Sequence, residues 1–120
     1  MSFEKYPHRL VIEVFISGRK YNAQLDTGSF LSVVTSKVLS ESNLQETNKR
    51  VDFSILNTNL IQTQMYLADI ELEYGVGILT DVVCSQLPQG IDVLLGLNFI
   101  SKGELLITNH EMRFSIFTEG

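Results

Sequence analysis

The chain has 120 residues, enough for one compact domain with a single core and too few for two. Hydrophobic residues at 44% against charged residues at 19% mark a folded globular protein, and seven Phe and four Tyr beside many Val, Ile and Leu favour sheet. The net charge of −5, with Arg19-Lys20 and Lys49-Arg50 as isolated basic pairs, lacks the clustered cations that a nucleic-acid partner requires. No apolar run approaches the ~20 residues of a membrane-spanning helix. Cys84 is the single cysteine, so no intrachain disulfide forms; inside the apolar run 78–84 it reads as a small buried hydrophobe rather than a reactive thiol. With no disulfide framework and no apolar N-terminal segment, a soluble cytoplasmic protein is expected.

Residues 1–9 carry Pro7 and little pattern, and read as an N-terminal arm before a domain over 10–118. Residues 10–16 and 21–25 are apolar-rich runs separated by Ser17-Gly18-Arg19-Lys20, the pattern of a β-hairpin. Asp26-Thr27-Gly28-Ser29 follows at the end of the second run, and 30–34 is apolar again. Thr35 or Ser36 caps a short helix through Leu39, with Asn43 ending it, and the polar stretch 41–50 reads as surface loop.

Residues 51–56 and 61–74 read as two strands around Asn57-Thr58-Asn59-Leu60, a hairpin tip in which Asn tolerates positive φ. The second strand changes parity, which predicts a bulge near Ala68-Asp69. Gly75-Val76-Gly77 turns into 78–84, a run apolar enough to be buried on both faces. Loop 87–90, strand 91–95 ended by Gly96, a helical turn over 97–101 and a last hairpin over 105–117 complete about eight strands. The expected fold is all-β, a small closed barrel with one short helix near the C-terminus.

Most catalytic signatures are missing: there is no G-x-S-x-G, no H-E-x-x-H, no C-x-x-C and no P-loop. His8 and His110 have no metal-ligand spacing, so no metal and no cofactor is expected. Asp26-Thr27-Gly28-Ser29 is what remains. An acid between an alternating strand and an apolar run lies close to the core, where a carboxylate is costly unless it is hydrogen-bonded or shares a proton. Gly28 permits a sharp turn and close approach of a ligand, while Thr27 and Ser29 add short hydroxyls. Alone the triplet is weak, since Asp-[Thr/Ser]-Gly arises by chance in roughly one chain of this length in twenty.

A second element raises its weight. Val93-Leu94-Leu95-Gly96 with Asn98 again forms an apolar strand ending in glycine. Together with Asp26-Thr27-Gly28-Ser29, the midchain hairpin and the final strand pair, it resembles the retropepsin-like aspartic proteases over residues 10 to 118. The resemblance implies that Asp26 is the catalytic carboxylate and that Thr27 bonds to its own copy across a dimer axis. It further implies that Gly28 presents its backbone to substrate and that Ser29 hydrogen-bonds near Asp26. Leu94, Leu95 and Gly96 would pack behind the active loop. Asn57, Thr58, Asn59 and Leu60 would form the tip of a flap, and Ile91 and Leu94 would fall where side-chain pockets form. Viral members usually carry an acid where this chain has Phe30 and an Arg where it has Leu97, and they have glycines in the flap tip. Losing both partners of that ion pair together resembles a cellular or bacterial branch.

Peptide hydrolysis by this chemistry needs two carboxylates sharing one proton. Asp52, Asp69, Asp81 and Asp92 lack a following [Thr/Ser]-Gly, so a two-fold homodimer must supply the second acid. The expected function is therefore an aspartic endopeptidase acting on extended polypeptide. Two other readings stay open. One is a dimeric peptide-binding module of the same fold with weak or no hydrolysis. The other is a monomeric structural β domain whose triplet is accidental.

Overall fold

The computed structural model describes residues 10–53, 61–72, 76–107 and 112–116. The chain opens with β1 (Leu10–Ile16) and β2 (Arg19–Leu25), paired antiparallel without interruption. Their two-residue loop has Ser17 at φ 53° and Gly18 at φ 79°. Positive φ at both positions gives a turn whose twist matches that of the flanking strands.

Next come β3 (Ser32–Val34), α1 (Ser36–Glu41), β4 (Gln45–Phe53), β5 (Ile61–Glu71) and β6 (Gly77–Cys84). They are followed by β7 (Val93–Leu95), α2 (Leu97–Ile100), β8 (Gly103–Ile107) and β9 (Met112–Ile116). The main sheet runs β1-β2-β7-β3-β6-β5-β4, and a further pairing of Phe15 with Glu71 joins β1 to β5. That contact closes six strands into a barrel with β4 outside the ring. A separate antiparallel hairpin is made by β8 and β9.

One face of all six ring strands fills the barrel with Val14, Ile16, Tyr21, Ala23, Leu25, Val34, Ala68, Ile70, Val82, Val93 and Leu95. Val38 of α1 and Phe99 of α2 join the same core, and Phe99 stacks on Phe114 at a centroid distance of 5.4 Å. The fold is thus the small all-β barrel expected, with α1 as a second short helix besides α2. Among the described residues there are nine strands rather than eight.

Four local expectations are corrected. The polar stretch 45–50 is strand, not loop: β4 pairs with β5 at Gln45 and Glu46 and again from Arg50 to Phe53, with a register shift between Glu46 and Arg50. No bulge lies at Ala68-Asp69, because β5 pairs continuously with β6 from Met65 to Glu71. The parity change instead records two cores. Ala68 and Ile70 face the barrel, while Met65 joins Val33 and Val83 in a smaller cluster on the opposite face. Strand β6 is doubly buried only near its end, at Val82 and Val83; Leu79 is 67% exposed. Thr35 is the N-cap residue of α1 but its side chain makes no cap bond, and the helix ends at Ser42 rather than Asn43. The expected turn at 109–110, the flap tip and the arm over 1–9 lie outside the described residues.

Tyr21 ties β2 to α1. It is 2% exposed and its hydroxyl donates to Glu41 Oε1 at 2.9 Å. Burial raises its phenol above the ordinary value of 10.0, and the Glu41 carboxylate adds to the shift. A folded-state value above the unfolded one gives a contribution that is complete below pH ~10 and disappears as pH rises through the raised value. Tyr21→Phe should therefore cost about 1.5 kcal/mol at neutral pH through the lost bond to a charged acceptor. The same variant should lose less stability than the parent above pH ~10, read by urea unfolding across the alkaline range.

Candidate active site

The position of Asp26 follows from strand order. Strand β7 enters between β2 and β3, parallel to the first and antiparallel to the second. Leu25 pairs with Leu95, and Val33 pairs with Leu94, so the link between β2 and β3 must pass across the C-terminal end of β7. That link carries Asp26-Thr27-Gly28-Ser29, with Phe30 and Leu31 behind it.

Hydrogen bonds hold the link to β7 and α2. The Asp26 amide donates to Leu95 O at 2.9 Å, the Leu97 amide donates to Ser29 O at 2.7 Å, and the Asn98 amide donates to Phe30 O at 3.0 Å. Gly96 sits directly beneath. A Cβ there would lie 2.7 Å from Ser29 O and closer still to the carbonyl oxygen of Leu31, so only glycine lets the loop rest on this junction. These contacts bring Leu95 and Gly96 to the loop, while Leu94 pairs with Val33 and packs against the smaller cluster.

Within the loop, the Gly28 amide donates to Asp26 Oδ1 at 2.9 Å and the Ser29 amide reaches Asp26 O at 3.3 Å. The Ser29 hydroxyl turns away from the carboxylate and donates to Leu31 O at 2.7 Å. Among the described residues, no donor reaches the second carboxylate oxygen of Asp26. Asp26 is half-buried, Thr27 and Gly28 are exposed, and the Phe30 side chain is 82% exposed. The loop thus presents one carboxylate, a backbone turn and an aromatic ring to whatever docks there.

Two other aspartates are engaged by lysines. Asp81 pairs with Lys49 at 3.1 Å. Asp92 pairs with Lys37 at 3.6 Å and accepts from the Asn22 amide at 3.0 Å. Ile91 is 6% exposed and lines a cleft of about 440 Å³ between the start of α1 and residues 84–92. The lining of that cleft contains none of Asp26 to Ser29. Cys84 also lines it, with its thiol pushed up by burial. The flap candidates Asn57 to Leu60 lie outside the described residues; β4 and β5 are the strands that carry them.

Sequence reading missed Ser32, whose buried hydroxyl accepts from the Gly96 amide at 3.0 Å and donates to Asn98 Oδ1 at 2.7 Å. Nothing local marks it, because its partners lie more than sixty residues away. Among the described residues no group of three or more His, Cys, Asp or Glu side chains could hold a metal ion, and no helix is long and apolar enough to cross a membrane.

The chain superposes on EIAV protease, solved in complex with the inhibitor HBY-793, with a TM-score of 0.58 over 80% of this chain and 88% of that one at 19% identity. It superposes on the solution structure of simian foamy virus (mac) protease with a TM-score of 0.57 over 77% of this chain and 92% of that one at 17% identity. At these identities the likeness is one of fold. No curated protein matches the chain in sequence. The family model described as gag-polyprotein putative aspartyl protease matches residues 12–102, a span that holds both the Asp26 loop and the Gly96 junction. On that match the chain belongs to this aspartyl protease family and carries the retropepsin-like fold.

Proposed function

We propose that the protein is an aspartic endopeptidase, active as a homodimer in which Asp26 of each copy supplies half of the catalytic pair. The observation that carries this reading is the Asp26 loop: a carboxylate fixed through its own backbone and one oxygen, with the second oxygen open at an exposed turn. One carboxylate of the pair, ionised, takes a proton from water as that water attacks the scissile carbonyl; the other, protonated, donates to the carbonyl oxygen. The engagement of Asp81 and Asp92 with Lys49 and Lys37 supports a second acid that comes from another chain.

Thr27 and Gly28, both exposed, are the groups available to the partner copy and to a bound peptide backbone. The β4–β5 hairpin is the proposed flap, with its tip at Asn57 to Leu60. Half-buried Leu94 beside Leu31 and Val33 supports preference for apolar side chains at the cleaved bond. The domain is taken to span 10–118 after an arm over 1–9, in a cytoplasmic protein. Phe30 and Leu97, where viral relatives carry an ion pair, support a cellular or bacterial branch.

Incubation with a diverse peptide library tests the reading. Cleavage at apolar sites is expected, blocked by a statine-type inhibitor, with a bell-shaped acid-side rate profile whose two limbs belong to the pair. Peptide capture without cleavage would favour the binding module. A monomer at tens of micromolar with neither property would leave only a structural domain.

A further inference from the structure

We propose that Ser32 and Asn98 are positioning residues for the Asp26 loop, a buried hydroxyl and a half-buried amide that fix the Leu95–Gly96 junction on which the Asp26 amide rests. The inference rests on the protease reading for its kinetic consequence and on geometry alone for its structural one.

Ser32, the first residue of β3, is 0% exposed. Its Oγ accepts from the Gly96 amide at 3.0 Å and donates to Asn98 Oδ1 at 2.7 Å. A hydroxyl is the short side chain that can do both at once. The Asn98 amide group is oriented by its other end: Nδ2 donates to the carbonyl of Asp81 at 2.8 Å, an acceptor that only the NH2 side can serve. The result is one continuous series running from the Gly96 N–H through Ser32 and Asn98 to the backbone of β6.

This series joins the end of β7, the start of β3, α2 and β6 around the loop. It starts at the residue after Leu95, whose carbonyl receives the Asp26 amide. It ends on β6, the parallel neighbour of β3. Asn98 and Leu97 meanwhile hold Phe30 O and Ser29 O through their own amides. Exposed Phe30 and half-buried Leu97 offer this junction no ion pair. Neutral hydrogen bonds, buried at Ser32 and part-buried at Asn98, therefore set the height at which Asp26 stands over β7. Removing one member leaves a buried donor unsatisfied and lets the Gly96 turn shift. A displacement of about 1 Å in a catalytic group is enough to cost roughly 100-fold in rate.

The test uses the full chain and two variants, Ser32→Ala and Asn98→Asp. For Ser32→Ala, kcat on a cleaved peptide should fall about 10- to 100-fold with KM changed less than about threefold, while the protein stays folded and its mass in solution stays that of the parent. Asn98→Asp keeps an acceptor for Ser32 but can donate to Asp81 O only when protonated. Its kcat should approach that of the parent at low pH and fall away as pH rises, moving the alkaline limb of the profile to lower pH. Amide hydrogen exchange gives a reading that needs no activity: Ser32→Ala should exchange at Asp26, Leu97 and Asn98 at least about tenfold faster, while β1 is unchanged. Parental exchange at those amides, or parental kcat in both variants, would overturn the proposal. If the parent cleaves nothing, the protease reading fails by itself and the exchange result still decides the positioning role.

Discussion

If the protein is the homodimeric protease proposed above, replacing Asp26 by asparagine should lower peptide cleavage by about 10⁴-fold or more and leave the mass in solution and the thermal midpoint close to those of the parent. General acid and general base catalysis each contribute about 10²- to 10⁴-fold, and in a symmetric pair one substitution removes both roles at once. An amide cannot ionise to activate water, and it cannot supply the carboxylic proton to the carbonyl oxygen. The fold should tolerate the change. Asp26 accepts one hydrogen bond, from the Gly28 amide to Oδ1, and an asparagine Oδ1 in the same place accepts it equally well. Asp26 is also only half-buried, so removing its charge creates no cavity and strands no partner. Active-site titration with cleaved peptide, run beside light scattering and thermal unfolding, separates the outcomes. Parental cleavage by the variant would remove Asp26 from the mechanism. Lost cleavage together with a lost dimer would make the residue an assembly determinant instead.

Gly96→Ala carries the largest expected cost to stability, about 3 kcal/mol or more. The added methyl points at the carbonyls of Leu31 and Ser29, both backbone, and a backbone cannot swing aside as a side chain end can. Gly96 has φ −90°, which any residue adopts, so the penalty comes from crowding and not from backbone conformation. Relief requires lifting the Asp26 loop from α2, which breaks the bonds from Leu97 to Ser29 and from Asn98 to Phe30. A fall of about 10 °C in the thermal midpoint is expected, together with loss of cleavage in whatever fraction remains folded. A midpoint within about 2 °C of the parent would mean that the loop does not rest on this junction. By contrast, the hairpin turn at Gly18, where an added Cβ meets nothing, should lose only what its positive φ imposes.

These two residues were legible from sequence because each ends an apolar strand. The run before Asp26 alternates, with Gly28 two residues beyond the acid, and the run before Gly96 is continuously apolar. The first hairpin was legible for a similar reason: Ser17-Gly18 suits the two-residue turn that its strands require. Strand β4 was not. Outside the closed ring, its Gln45 to Arg50 segment has little to bury, so no hydrophobic period develops and only pairing with β5 makes it a strand. Strand β5 misled in the opposite way. Passing between two clusters, it carries apolar residues on both faces, and Met65 followed by Ala68 imitates the parity break of a bulge. Ser32 is one serine among many, and Asn98, though it stands in the second motif, shows no partner in the sequence. Their meaning lies in a contact between residues 66 positions apart, which no local pattern encodes.

The insertion of β7 between β2 and β3 also sets the order in which the molecule can mature. Asp26 and its triplet are made well before β7, but the carbonyl that receives the Asp26 amide belongs to Leu95. Closing that gap requires a contact across most of the polypeptide, and such non-local pairings form late and slowly. During synthesis, when residues emerge in sequence and the early hairpin can already fold, the acid has no bed to lie on. A chain still tethered to the ribosome, or clipped before Val93, would carry the reactive triplet in an inert form. Competence would arrive only once Val93 to Gly96 are made and docked, a delay written into strand order.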